Sequence, residues 1–142
     1  MTADIGKALA YQVSQGSEVI AILGANASSN GRFSPVSMPQ TATFPLALYQ
    51  EISGQLIHQH GEASVLPRPR IQITCWGMTY GDVVALDRAI KAAIDGKRGN
   101  WGTGSYVTMV ESCVAETTPH DDRDPETSVF QRSRDYMIMW KE

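Results

Sequence analysis

Several places in the chain hold residue types that could do chemistry. His58 and His60 stand two apart with Glu62 close behind, a donor set that suits a divalent metal when the side chains share one strand face. Gly61 follows at once, so the segment reads as a turn tip with solvated side chains rather than a convergent site. The run HDDRDPE, His120 to Glu126, is dense in carboxylates but lacks the oxygen spacing and the glycine of an EF-hand loop. It reads as a solvated acidic loop. GKRGNWGTGS, Gly96 to Ser105, has glycines and a lysine without the GxxxxGK[ST] order or a following helix, so it does not predict a phosphate cradle. Arg132 and Arg134 alternate on one strand and offer cations to a phosphate, although an exposed or subunit-facing strand surface suits them better. Cys75 and Cys113 lie in strand-like segments without CxxC spacing and read as buried free thiols. No serine, cysteine or histidine sits in a nucleophile motif. The expectation is a protein that is not an enzyme, with no metal and no cofactor.

Composition narrows the classes further. A chain of 142 residues suits one domain. Apolar content of 42% and charged content of 19% are ordinary for a globular fold. A net charge of −3 gives no general attraction to nucleic acid or to an anionic membrane. No apolar run approaches the roughly 20 residues of a membrane helix, and MTADIGKALAYQ is amphipathic rather than signal-like.

The elements that must position these residues are legible from residue 45 onward. Residues 3–14 predict a helix, with Ile5, Leu9 and Val13 spaced by four, and SEVIAILG adds further turns before Gly24. About twenty residues without periodicity follow, from Ala25 to Phe44, and read as an ordered arm or covering loop. Pro45, which has no amide hydrogen, opens a first strand over about 45–57, with Leu46, Leu48 and Ile52 on one side and Ala47, Tyr49 and Glu51 on the other. HQHGEAS is the turn into a second strand, where Ile71, Ile73 and Cys75 share a face. TYGDVVALDRAIKAAIDG predicts a helix capped by Thr79 and Asp82 and ended at Gly96. Val83, Leu86, Ile90, Ala93 and Ile94 form its apolar stripe, and Asp87 and Lys91 pair on the opposite face. Strands over about 105–117 and through VFQRSRDYMIMW complete the chain. The expected fold is α+β: a mostly antiparallel four-stranded sheet with helices on one face and a long loop on the N-terminal side. Its core holds Ile71, Ile73, Val83, Leu86, Ile90 and Ile94 with Tyr136 and Ile138.

The ordered set of these features resembles the tail-completion, or tail-terminator-like, family of tailed bacteriophages. Arg32-Phe33, Pro39-Gln40 and Pro45 stand where that family carries an Arg-Val-Tyr-like element, a proline-glutamine and a strand-opening proline. Trp76, Thr79 and Tyr80 match its strand-to-helix junction, and Tyr136, Ile138 and Trp140 its last strand. The glycine-rich linker is longer than in the family and 25–31 are richer in serine and asparagine.

The resemblance implies a structural virion neck protein. It would form a homohexameric ring that completes the tail tube, joins it to head-completion, adaptor or stopper proteins below the portal, and leaves a channel for genome DNA. It implies assembly in the host cytoplasm and no membrane partner. A minor tail or adaptor protein in an adjacent ring is the alternative of the same class; a small metal-binding or enzymatic domain is the alternative of another. The expected docking residues fall in two sets. Arg32, Phe33, Pro35, Pro39, Gln40 and Phe44 supply the arginine and aromatic types that anchor interfaces, unless the loop merely covers the sheet's open edge. Asp121, Asp122 and Asp124 suit steering and register.

Overall fold

The computed structural model describes residues 5–24, 32–35, 44–53, 56–59, 62–67, 70–102, 107–115, 119–123, 125–126 and 128–140. Among the described residues three helices, α1 (Ile5–Ser14), α2 (Ser17–Leu23) and α3 (Tyr80–Ile94), accompany nine strands. The strands are β1 (Phe33–Pro35), β2 (Leu46–Ser53), β3 (Leu56–Gln59), β4 (Glu62–Pro67), β5 (Arg70–Gly77), β6 (Gly99–Trp101), β7 (Thr108–Ala115), β8 (His120–Arg123) and β9 (Phe130–Trp140).

The class is α+β, but the sheet is larger than four strands and mixed. Its order is β1-β2-β5-β9-β7-β6, with β8 also on β9, and β1 runs parallel to β2 while the other pairs are antiparallel. The long final strand is the hub. β5 lines one edge of β9 from Phe130 to Met137; the other edge takes β8 over Phe130–Ser133 and β7 over Tyr136–Trp140. The expected first strand and its turn are in fact β2, β3 and β4. The register at Ser53↔Arg70 carries on into Leu56↔Pro67 and Ile57↔Leu66, so β3–β4 prolongs the β2–β5 hairpin as a separate two-stranded ladder. The other added strands are β1 in the expected loop, β6 in the glycine-rich linker and β8 in the acidic loop. Each has three or four residues, too few to show a side-chain period; backbone pairing to a longer neighbour makes them strands.

α3 lies over β5 and β9. Thr79 caps it, its Oγ1 accepting from Asp82 N at 3.2 Å. Val83, Leu86, Ile90 and Ile94 are buried in one cluster with Ile71, Ile73, Cys75, Tyr136 and Ile138. On β2 the side facing this cluster is Ala47 and Tyr49; Leu46 is buried outside it. α1 and α2 add Leu9, Val13, Val19 and Leu23, and Trp101 of β6 is 1% exposed in the same core. Close approach to α3 at the α1–α2 junction accounts for glycine at position 16, where a Cβ would stand 2.9 Å from that of Ala93.

Two outcomes check this core. Ile90→Ala should cost about 2–5 kcal/mol in urea unfolding, because the cavity lies between α3 and two strands; a loss below about 0.5 kcal/mol would show that Ile90 is not wedged there. Burial, with the charge of Asp95 adding, pushes the Cys113 thiol from 9.0 up to about 12, and burial raises Cys75 as well. A folded pKa above the unfolded one stabilises fully below about pH 9 and the benefit is lost as pH rises through about 12. Stability should therefore decline across that window, and Cys113→Ala should flatten the decline.

Candidate interaction surface

Alternation along β9 turns Arg134, Tyr136, Ile138 and Trp140 toward the helices, all buried. Two of the helix-side residues of β9 are arginines, and α3 answers them with a carboxylate. Asp87, 2% exposed, does not pair with Lys91 on a solvent face as the helical spacing suggests. Four residues after Val83 and three before Ile90, it lies within the apolar stripe itself. Its Oδ1 accepts from Arg134 Nε at 3.1 Å and its Oδ2 from Arg134 Nη2 at 2.8 Å, a two-point fork. Oδ2 also accepts from Arg132 Nε at 3.1 Å. The hydrogen bond to Asp87 raises Arg134 above its usual range despite burial, so its guanidinium stays charged.

The network continues outward to β8. Arg132 Nη1 lies 3.4 Å from both carboxylate oxygens of Asp121 and donates to Tyr80 Oη at 3.3 Å. Tyr80 Oη donates to Asp121 Oδ2 at 2.7 Å. Phe130 packs edge-on to Tyr80, with ring centroids 6.1 Å apart, and lies under the guanidinium of Arg123 at 5.5 Å. Asp122 accepts from Arg123 N at 2.8 Å and from Gln131 Nε2 at 3.4 Å. These bonds hold a four-residue, exposed strand bearing two aspartates against the fold.

The loop residues are placed differently. Arg32 donates from Nε and Nη2 to Pro45 O at 3.1 and 2.9 Å, and its own carbonyl accepts from Ala47 N at 2.9 Å. Phe33 is 1% exposed, with its ring 4.9 Å from that of Tyr49. Both residues thus bind their own sheet, and Phe33 is a core residue. Pro35 is exposed and Phe44 half-buried; the Phe44–Pro45 bond is cis. Pro39, Gln40 and Asp124 lie outside the described residues, as do His60 and the side chains of His58 and Glu62. Among the described residues no cluster of histidine, cysteine, aspartate or glutamate could hold a metal, and no helix is long and apolar enough to cross a membrane. The other sheet face has a cleft of about 120 Å³ lined by Leu48, Tyr49, Gln50, Gln72, Thr74 and Trp76, which brings no catalytic pair together.

One member of each expected docking set, Phe33 and Asp121, lies on the same transverse row. Phe33 pairs with Ala47, Ala47 with Cys75, Cys75 with Arg132 and Arg132 with Asp121. β1 and β8 are therefore the opposite edges of the sheet at the same end. Sequence reasoning missed the Asp87–Arg132–Arg134 cluster. The signal was there: a carboxylate inside an apolar stripe, and two arginines alternating on a core strand.

No protein-family model and no curated protein matches this sequence. Among solved structures, the fold is similar to that of a chain in a structure titled "Virion of native gene transfer agent (GTA) particle", with a TM-score of 0.67 and 8% identity, over 97% of this chain and 95% of that one. At that identity the likeness is one of fold.

If the carboxylate of Asp87 is what keeps two guanidiniums together in the core, Asp87→Asn should cost about 3–5 kcal/mol, the usual penalty for stranding a buried charge. Asp121→Asn, at the exposed end of the same network, should cost well under 1 kcal/mol. Equal losses in denaturant titrations of the two variants would contradict this ordering.

Proposed function

We propose that this chain is a structural component of a phage-like virion, and specifically a neck protein that completes the tail tube as a homohexameric ring. The observation that carries the reading is the end-to-end fold likeness to a chain of a gene transfer agent virion. The ordered sequence features of the tail-completion family support the finer role. In this reading the ring contacts the tail tube protein on one side and head-completion, adaptor or stopper proteins on the other. Genome DNA passes through it without sequence-specific binding. A net charge of −3 is compatible with such a passage, since a wall rich in lysine and arginine would hold phosphates by counterion release. The role is structural rather than catalytic.

The placement of the two edges supports a ring over a two-fold dimer. Head-to-tail association joins different patches of neighbouring copies and closes into a ring when the rotation allows. β1 and β8 are two such patches, on opposite edges of one row. Pro35 is exposed at the first and Asp122 at the second. The docking sets expected from the sequence then contribute through their exposed members, and Arg32 and Phe33 by holding β1 in place.

The test is cross-linking in assembled particles. A Pro35→Cys, Asp122→Cys double variant, treated with a short bismaleimide, should give a ladder ending at six copies, while each single variant gives none. Cys75 and Cys113 are buried and should stay silent. A ladder ending at two copies, a particle reconstruction with five or twelve copies, or particles lacking the protein would refute the ring.

A further inference from the structure

β7 is eight residues long, and β6 pairs only with Thr108–Val110 on its outer edge. Among the described residues no strand lies beside the rest of that edge, yet two of its backbone groups are taken up. The C-terminal turn of α3 supplies two groups in place of a strand. Gly96 N donates to Cys113 O at 2.8 Å, and Asp95 Oδ1 accepts from Ala115 N at 2.9 Å. Asp95 leaves the helix extended, with ψ 127°, which sets the direction of the Gly96 N–H, and Gly96 itself has φ +75°, a left-handed conformation that favours glycine.

Helix chemistry does not account for Asp95. The last carbonyls of a helix already present negative charge, so this end favours a cation and disfavours a carboxylate. The strand does account for it, because Asp95 takes up an amide that would otherwise face outward. The surroundings make that amide consequential. Met109 and Val114 of β7 and the neighbouring Val107 are 43%, 51% and 47% exposed. A free edge flanked by exposed apolar side chains is a template for another strand. The sheet's edge strands carry their own protection: β1 is three residues ending in proline, β6 is three residues long, and β8 is short and charged.

We propose that the Asp95–Gly96 turn is an edge stopper, which occupies the outer edge of β7 and keeps a second copy of this chain from adding a strand there. It confines contacts between copies to other surfaces and blocks open-ended edge-to-edge growth. The inference concerns the free subunit and stands apart from the virion reading.

Asp95→Ala removes the acceptor, whereas Asp95→Asn retains an oxygen at the same place. Sedimentation velocity over a concentration series and amide exchange at Ala115 read the two consequences. Asp95→Ala should exchange Ala115 about tenfold faster, as expected for loss of one local protecting bond, and should form concentration-dependent larger species. Asp95→Asn should match the parent in both readouts. Adding Val114→Lys to Asp95→Ala should return the mass to the parent value while leaving exchange fast. Ile90→Ala, destabilised away from the edge, should not associate. Asp95→Ser, whose hydroxyl falls a bond short of Ala115, gives the same readouts if Asp95→Ala does not fold. Fast exchange without association, unchanged exchange, or equal association by Ile90→Ala would each overturn the proposal.

Discussion

Asp87 is the constraint on which the rest of the arrangement depends. A carboxylate 2% exposed must be paired, and here it answers to two guanidiniums on β9 at once. Hydrophobic contact alone would let α3 slide or rotate by a fraction of a turn over a sheet of isoleucines. A two-point fork to Arg134, with a third bond to Arg132, leaves one rotation and one position. Replacement of a whole buried ion cluster by apolar residues is often close to neutral for stability. What the cluster supplies is then register rather than stability, and that register fixes more than the helix. Arg132 passes it to Asp121 and Tyr80, so an exposed strand is held by a core charge two bonds away.

From β9 the consequences spread along the sheet in both directions. Its first half sets the row that ends in β8 on one side and, through β5 and β2, in β1 on the other. Its second half seats β7, and through β7 the short β6 that carries Trp101 into the core. One eleven-residue strand thus decides where all three outer edges of the sheet fall.

The legible part of the fold was the part built from periods. The α3 stripe, the alternation of Ile71, Ile73 and Cys75, and the aromatic alternation ending at Trp140 each repeat often enough to show a face. Phe33-Ser34-Pro35, Gly99-Asn100-Trp101 and His120 to Arg123 repeat nothing, and they become strands only because a longer neighbour offers backbone groups. A charged run such as HDDR reads as loop by composition, and only pairing with β9 makes it an edge. The site was harder still. Asp87 looked like half of a surface pair because Lys91 stands four residues on, and an i,i+4 pair is a local reading. Its true partners are 45 and 47 residues away, and only the seating of α3 on β9 brings them within reach.

Sheet edges also bear on how copies of such a subunit would meet in the proposed ring without running on indefinitely. A strand edge is an unsaturated row of donors and acceptors, and an apolar one is sticky in a way that depends little on partner geometry. The end of α3 takes up part of this sheet's apolar edge, and among the described residues the edge strands are short: β1 of three residues ending in proline, β6 of three, and the charged four-residue β8. Contacts made through edges of that kind are weak singly and depend on charge placement, which screens with salt and tolerates little misalignment. Weak, oriented contacts favour a closed assembly, because closure adds one contact without adding a subunit. In the proposed ring, the division between a partly covered apolar edge and short or charged edge strands would favour closure over open-ended growth. In this chain the division traces back to two aspartates: Asp95, which ends the helix against the strand, and Asp87, which sets where that helix lies.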